Sequence, residues 1–173
     1  MNIVLGVTGG IAAYKSCEFC SLAIKSGHSV QVIQTTNAKR FVGSITFEGL
    51  TGKPVLHDTF ESAMDHIYWA KWADVLVVAP LSANTLAKIA HGLCDDLLST
   101  TICATPKETP IVLCPAMNTH MWEHPITQRN INILKDTKRF EWVLPVEKRL
   151  ACGDVGVGGL ADPSDILQFC ESL

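Results

Sequence analysis

The chain has 173 residues, 47% of them hydrophobic and 18% charged, with a formal net charge of −3. This length predicts a single domain over residues 1–173 with a well-filled core, and the apolar fraction excludes an intrinsically disordered chain. No basic run is present, which argues against a nucleic-acid-binding or membrane-surface protein. The uncharged stretch between Asp74 and Lys88 is too short for a membrane-spanning helix. A small-molecule ligand is therefore favoured.

The N-terminal sequence and the cysteines both favour a cytoplasmic protein. MNIVLGVTGG has no positively charged leader, and the seven cysteines are odd in number and scattered through apolar segments, as expected of reduced thiols. Cys17 and Cys20 have CxxC spacing but fall in a predicted helix without a second pair, so core packing is favoured over a redox or zinc site. His120 and His124 are four residues apart, but Pro125 ends any helix they share. No metal site is predicted.

Short apolar segments alternate with helical patterns along the chain. Segments rich in Val and Ile and bounded by turn residues predict strands at 2–8, 28–35, 74–80, 110–115 and 140–145. Helices are predicted at about 12–26, 83–92, 95–104, 125–136 and 163–172, each beginning near a small or capping residue. This alternation predicts a mostly parallel sheet covered on both faces. The predicted fold class is α/β, a doubly wound, Rossmann- or flavodoxin-like three-layer sandwich.

Small and hydroxyl-bearing residues follow the predicted strands. Ligands of doubly wound sheets bind outside the carboxyl ends of the strands, so these residues are expected to meet at one site. The segments concerned are 9–11, 35–37, 81–85 and 116–118. Glycines that allow close backbone approach, helix N-termini and hydroxyl donors together suit a single phosphate. The pattern indicates a mononucleotide site.

Two alternatives remain open for the first loop. The segment from Gly6 to Gly10 is faintly similar to the GxGxxG motif of nicotinamide dinucleotide sites. The glycine spacing differs, however, and Thr35 and Thr36 stand where an acidic residue would bind the ribose. The glycines can also simply form a turn.

Four longer segments carry a more specific resemblance. They are GVTGGIAAYK, HIYWAKWADVLVVAPLSANTLAKIAHGLCDDLL, PAMNTHMW and RLACGDVGVGGLADP. Together, and over nearly the whole chain, they resemble the phosphopantothenoylcysteine decarboxylases of the flavin-dependent cysteine decarboxylase family. The resemblance implies FMN-dependent decarboxylation of 4′-phosphopantothenoylcysteine to 4′-phosphopantetheine in coenzyme A biosynthesis. The flavin first oxidises the thiol-bearing carbon, which allows carbon dioxide to leave, and then reduces the resulting enethiol.

The resemblance also implies two catalytic residues. His66 corresponds to the family's proton-handling histidine, although a single histidine before a helix is more often structural. Cys152 corresponds to the proton donor for reduction of the enethiol, although a loop cysteine is by itself more often a bystander. The glycine-rich segment at about 149–161 is expected to form a flexible flap over the substrate.

Substrate-binding residues follow from the same resemblance. Asn118 corresponds to the residue that holds the substrate carboxylate, and by position alone it would equally be a helix cap. Met117 is expected to form an apolar wall, and Ala151 to contact the substrate from the flap. Gly159 and Leu160 depart from the arginine or alanine followed by methionine of many relatives, which leaves open how the flap meets the substrate phosphate.

FMN is expected to contact residues of the first three strand-end loops. The residues expected near its phosphate, ribityl chain and ring are Gly9, Gly10, Ile11, Thr35, Phe41, Ser82, Asn84 and Thr85. Ser82 and Thr85 also suit a helix cap, which does not exclude ligand contact. Family members assemble as trimers, often further into dodecamers, with the flavin near a subunit boundary, so a homo-oligomer is expected.

Two other functions compete with this one. Peptidyl-cysteine decarboxylases resemble the chain in the histidine and PxMN segments but lack the ACGD cysteine, so Cys152 argues against an oxidative peptide-trimming enzyme. A non-catalytic flavin-binding regulatory subunit, of the kind that inhibits a protein phosphatase, usually carries acidic extensions or has lost catalytic residues. This chain retains His66, Asn118 and Cys152, which favours the decarboxylase.

Overall fold

The structure, a computed structural model, describes residues 1–60, 62–149, 153 and 155–173. A five-stranded parallel sheet has the order β2-β1-β3-β4-β5. Its strands are β1 (Asn2–Val7), β2 (Ser29–Gln34), β3 (Val75–Leu81), β4 (Ile111–Pro115) and β5 (Glu141–Trp142). Two further strands, β6 (Val146–Arg149) and β7 (Val155–Gly159), form a separate antiparallel pair, called here the hairpin.

Helices cover both faces of the sheet. They are α1 (Tyr14–Lys25), α2 (Ser44–Thr51), α3 (Asp65–Trp72), α4 (Ala83–Ala90), α5 (Leu97–Ala104), α6 (Thr119–Glu123), α7 (Pro125–Asp136) and α8 (Pro163–Glu171). Helix α1 packs against α2 and α8, whereas α3 packs against α5 and α4 against α7. This arrangement confirms the predicted α/β doubly wound, three-layer class.

The central strands are buried on both faces, as parallel sheets require. In β1, Ile3 and Leu5 belong to the hydrophobic cluster with α1 and α8, and Val4 belongs to the cluster with α5 and α7. All seven residues of β3 are buried. Within the described part of the chain, no helix is long and apolar enough to cross a membrane.

The predicted strands are confirmed, but several elements differ from the sequence-based expectation. The segment 140–145 was expected to be one strand, yet pairing stops after Trp142. Helix α2 was not predicted because β-branched Ile45 and Thr46 have low helix propensity. It is held instead by Phe47, which is fully buried. Of the expected flap at about 149–161, residues 149 and 155–159 lie on the hairpin, whereas residues 150–152 and 154 lie outside the described part of the chain.

Candidate functional site

Buried hydroxyl groups join the ends of β1 and β3, where the order of the sheet reverses. The Thr8 hydroxyl donates to the Pro80 carbonyl at 2.7 Å and accepts from the Ser82 amide at 2.8 Å. Ser16, on α1, donates to the Ala79 carbonyl at 2.7 Å. These bonds fix the first loop and α1 against the end of β3. In open α/β sheets this reversal is the usual place for a ligand.

A cavity of about 590 Å³ lies at this place. One part of its wall is formed by residues 9–11, 82–83 and 116–118, which, together with Thr8, are called here the strand-end loops. The other part is formed by the hairpin and the residue that follows it, and α1 contributes Tyr14 and Lys15. The volume falls within the range of small-molecule and cofactor sites.

The first strand-end loop presents backbone groups to the cavity. A Cβ atom at Gly9 would lie 2.6 Å from the Asn37 Cβ, so the loop after β2 packs too closely for any larger residue. Gly10 has extended backbone angles, and a 3₁₀ turn at Ile11–Ala13 runs on into α1. No side chain caps the N-terminus of the turn or of α1. N-terminal amide groups of this kind bind anions such as phosphate.

The structure brings together half of the residues predicted to bind the cofactor. Gly9, Gly10, Ile11 and Ser82 line the cavity, whereas Thr35, Phe41, Asn84 and Thr85 do not. The Thr35 hydroxyl accepts from the Ala38 amide at 3.4 Å, and the Phe41 side chain is 51% exposed.

Ser82 has the helix-cap role that its sequence position suggested, in addition to lining the cavity. Its hydroxyl accepts from the Thr85 amide at 3.3 Å at the start of α4. Thr85 is buried and accepts from the same hydroxyl. Ser82 therefore both caps α4 and lines the cavity. Thr85 contacts the cap residue but does not line the cavity.

Asn118 and Met117 lie on the cavity wall at the end of β4. The Asn118 side-chain oxygen accepts from the His120 amide at 2.9 Å and caps α6. The Met117 amide donates to the Gly158 carbonyl at 2.8 Å, which ties this loop to the hairpin. Gly158 has a φ of +151°, and a Cβ atom there would overlap the Met117 carbonyl oxygen. Glycine is therefore required for the hairpin to approach β4.

His66 is placed differently from the expectation. It was expected to precede a helix, and it lies instead in the first turn of α3, next to the first-turn residue Asp65. It is not among the residues that line the cavity. Its Nδ1 atom is buried and has no hydrogen-bond partner among the described residues. A buried imidazole nitrogen in this condition is costly, which marks His66 for a contact beyond the described part of the chain.

The CxxC pair, the predicted absence of a metal site and the two remaining flap residues have different outcomes. Burial raises the pKa of Cys20 to about 12 and also raises that of Cys17, in keeping with unreactive core thiols. Over residues 1–60, 62–149, 153 and 155–173, no group of three His, Cys, Asp or Glu side chains could hold a metal ion. Ala151 and Cys152 lie outside the described residues.

Three cationic side chains on the cavity wall were not singled out from the sequence: Lys15, Lys148 and Arg149. Lys148 donates from Nζ to the Leu160 carbonyl at 2.7 Å. Desolvation, followed by the proximity of Lys15, lowers the pKa of Lys148 to about 8. Lys148 and Arg149 are adjacent but follow Glu147, and Lys15 is far from them along the chain, so no local charge run indicates the three. They make this part of the cavity suitable for an anion.

The chain is similar to known proteins over nearly its whole length. A family model described as Flavoprotein matches residues 1–173. The coenzyme A biosynthesis bifunctional protein CoaBC of Bacillus subtilis is 42% identical over 174 residues, which cover 98% of this chain and 42% of that protein. A probable phosphopantothenoylcysteine decarboxylase of Streptococcus mutans is 42% identical over 174 residues, covering 98% of this chain and 97% of that protein. The chain thus spans less than half the length of the bifunctional relative.

Solved structures show the same similarity. A PPC decarboxylase mutant complexed with pantothenoylaminoethenethiol matches with a TM-score of 0.87 at 35% identity, covering 99% of this chain and 96% of that one. The FMN binding protein AtHal3 matches with a TM-score of 0.82 at 36% identity, covering 99% of this chain and 97% of that one. The central sheet and the flanking helices are therefore common to these proteins.

Proposed function

The chain belongs to the flavoprotein family, and from this membership we propose that it is an FMN-dependent phosphopantothenoylcysteine decarboxylase. The reaction converts 4′-phosphopantothenoylcysteine to 4′-phosphopantetheine in coenzyme A biosynthesis. The observation that carries the proposal is the 42% identity to a probable phosphopantothenoylcysteine decarboxylase over 97% of that protein's length. The cavity supports it, because a flavin-sized site opens at the β1–β3 reversal beside Asn118.

The residues present fit FMN. A glycine at position 9 that no larger residue could replace, an extended Gly10 and an uncapped α1 N-terminus together form a phosphate cradle. Ser82 adds a hydroxyl on the neighbouring loop. Thr35, Phe41, Asn84 and Thr85 remain predicted contacts from the family resemblance. When bound, the flavin supplies the two-electron oxidation and the later reduction that make loss of carbon dioxide possible.

Asn118 is proposed to hold the carboxylate that leaves as carbon dioxide. The contact from its side-chain oxygen to the His120 amide sets the orientation of the side-chain amide. The amide nitrogen is a donor of the kind that a carboxylate accepts. Because the amide is neutral, it orients the carboxylate without the strong charge pairing that would oppose its departure. Met117 and, by resemblance, Ala151 would complete the substrate contacts.

Two residues are proposed to move protons. His66 would hold a proton at its imidazole while the thiol-bearing carbon is oxidised, and its buried Nδ1 without a described partner supports a role toward a ligand or another subunit. Cys152 would donate the proton that accompanies reduction of the enethiol. Carbon dioxide is then the net loss, because the two electrons removed in the first half are returned in the second.

Mass spectrometry of the product tests the proposal directly. The flavin-loaded protein is incubated with 4′-phosphopantothenoylcysteine, and loss of carbon dioxide alone is expected. Loss of carbon dioxide plus two hydrogens would instead indicate an oxidative enzyme acting on peptides. Absence of any reaction with flavin bound would favour a regulatory flavin-binding subunit.

A cysteine variant separates the two halves of the reaction. Cys152→Ser is expected to bind flavin and to release carbon dioxide but to accumulate the enethiol, since the proton donor is missing. Cys94→Ser is a matched control, because Cys94 is an exposed thiol that does not line the cavity. A full yield of reduced product from Cys152→Ser would exclude the proton-donor role.

A homo-oligomer, either a trimer or a dodecamer, is proposed as the active form. Its support is the exposure of large apolar side chains, including Phe60 at 92% and Ile45 at 77%, and the position of His66 off the cavity wall of its own chain. Mass photometry would give the assembly size, and a monomer that turns over substrate would contradict the proposal. The cytoplasmic location stays a prediction from the sequence.

A further inference from the structure

Lys148 crosses the hairpin through space that exists because residue 159 is glycine. A Cβ atom at Gly159 would overlap the Lys148 Cε atom and lie 2.7 Å from both Cδ and Cγ. In the pairing of β6 with β7, Gly159 is the direct partner of Val146 and Lys148 is the direct partner of Gly156. Its side chain instead runs diagonally across the glycine and ends at the Leu160 carbonyl. The absence of a side chain at Gly159 therefore leaves the space that the Lys148 side chain occupies, called here the glycine seat.

The charged groups around this lysine favour an anionic ligand. Lys15 and Arg149 line the same cavity, and Lys15 is close enough to act on the Lys148 ammonium group. Among the described residues, Asp162 is an acidic group that interacts with both lysines, and its carboxylate accepts hydrogen bonds from the amide and hydroxyl of Ser164 at 3.0 and 2.6 Å. Like charges held together in a partly desolvated site are stabilised when an anion joins them.

We propose that Lys148, seated across Gly159, determines specificity for a phosphate monoester bound in the cavity, with Lys15 and Arg149 flanking it. The inference rests on the proposed function and deepens it, because the substrate and FMN each carry such a group. Asn118 is assigned to the substrate carboxylate, which leaves the cationic part of the wall for the phosphate. The hairpin would thus give a phosphorylated ligand a higher affinity than its unphosphorylated counterpart. Neutral groups of the strand-end loops would produce a smaller difference in affinity.

Binding measurements test this inference without turnover. Calorimetry of the flavin-loaded protein compares 4′-phosphopantetheine with pantetheine, its unphosphorylated counterpart. The wild type is expected to prefer the phosphorylated ligand by about tenfold or more, and Lys148→Met to lose about tenfold of that preference. Lys107→Met, an exposed lysine outside the cavity, should retain it. The inference would be overturned if the wild type preferred the phosphorylated form of neither pantetheine nor flavin, or if Lys148→Met kept both preferences undiminished.

The glycine seat is tested separately. Gly159→Ala is expected to displace the lysine and to reproduce the loss seen in Lys148→Met. The double variant should be no weaker than either single variant, because both changes remove one interaction. Additive losses, or an unaffected Gly159→Ala protein, would overturn the assignment of Gly159 as the seat.

Flavin titrations distinguish the two sources of phosphate. The affinities for FMN and riboflavin are measured by flavin fluorescence in the same variants. A loss in Lys148→Met confined to the pantetheine pair assigns the site to the substrate phosphate, and a loss confined to FMN assigns it to the cofactor phosphate. A wild type that discriminates the phosphate but releases no carbon dioxide would contradict the proposed function and still support the inference.

Discussion

The strand-end loops and the hairpin line the same cavity but are held in place by different interactions. The strand-end loops continue buried strands, and the Thr8 hydroxyl, itself fully buried, bonds to two backbone groups at the end of β3. The two strands of the hairpin pair with each other, and among the described residues a backbone hydrogen bond from Met117 to Gly158 joins the hairpin to the loop after β4. The strand-end loops are therefore continuous with the core, whereas the hairpin packs against it from outside.

Because of this difference, we expect changes in the strand-end loops to affect mainly folding stability and changes in the hairpin to affect mainly ligand specificity. Groups that hold the strand-end loops also hold the sheet together, so changing them should cost folding free energy. Groups in the hairpin contribute little to the buried core, and Val146 and Val155 are 40% and 71% exposed. Changing the hairpin should therefore alter ligand binding and turnover while the rest of the fold persists.

Gly158→Ala should have the largest effect on activity. The new Cβ would overlap the Met117 carbonyl oxygen, and alanine is strained at a φ of +151°. Displacement of the hairpin by about 1 Å is expected to lower kcat/KM by about 100-fold, with unfolding of the sheet little changed. Kinetics and thermal unfolding of the same preparation check both expectations. Gly49→Ala is the matched control, since its Cβ meets open space in α2. Equal losses in both variants would contradict the role of the hairpin contact.

Asn118→Asp should lower kcat/KM by about 10- to 100-fold, because a second negative charge would oppose the substrate carboxylate and the amide donor would be lost. Aspartate caps helices as well as asparagine does, so α6 and the stability of the fold should persist. Flavin content and the thermal midpoint are the measured controls. Wild-type kinetics, or a fall in stability that accounts for the lost activity, would contradict the assignment.

Thr8→Val should act on the strand-end loops with a mainly structural result. Valine keeps the shape but leaves the Pro80 carbonyl and the Ser82 amide without the hydroxyl that now joins them. We expect the free energy of unfolding to fall by about 1–3 kcal/mol, together with weaker flavin retention. Denaturant unfolding measures the first quantity and flavin fluorescence the second. Thr8→Ser should restore both, and a failure of serine to do so would assign the effect to packing.

The same division explains what could be predicted from the sequence. The strands and the loops at their ends follow from local patterns, so Gly9 and Asn118 were found as members of one site. Lys148 and Gly159 were not paired in advance, because they meet diagonally across two strands whose pairing no local pattern encodes. His66 was recognised by resemblance, yet its position relative to the cavity depends on how α3 packs, which the local sequence does not determine.

The pH dependence of ligand binding is the smallest effect that we expect. It tests whether the charge of a hairpin residue contributes to binding. Lys148, with a pKa lowered to about 8, lies near Lys15 and Asp162, with Arg149 on the same cavity wall, and it should lose its charge between pH 7 and 9. A phosphate monoester is fully ionised over that range. Affinity for 4′-phosphopantetheine should therefore fall by about fivefold across it.

Folding stability should respond to the same titration with the opposite sign. Between pH 8 and about 10 the unfolded chain binds more protons at Lys148 than the folded chain does, so this residue's contribution to the free energy of unfolding rises with pH. Calorimetric titrations and denaturant unfolding at pH 7, 8 and 9 measure the two trends. Lys148→Met should flatten the binding trend while the pantetheine affinity stays constant. A binding trend that persists in this variant would place the titrating group outside the hairpin, with Lys15 of α1 as the other lysine on the cavity wall. Lys148 would then have no part in recognising the charge of the ligand.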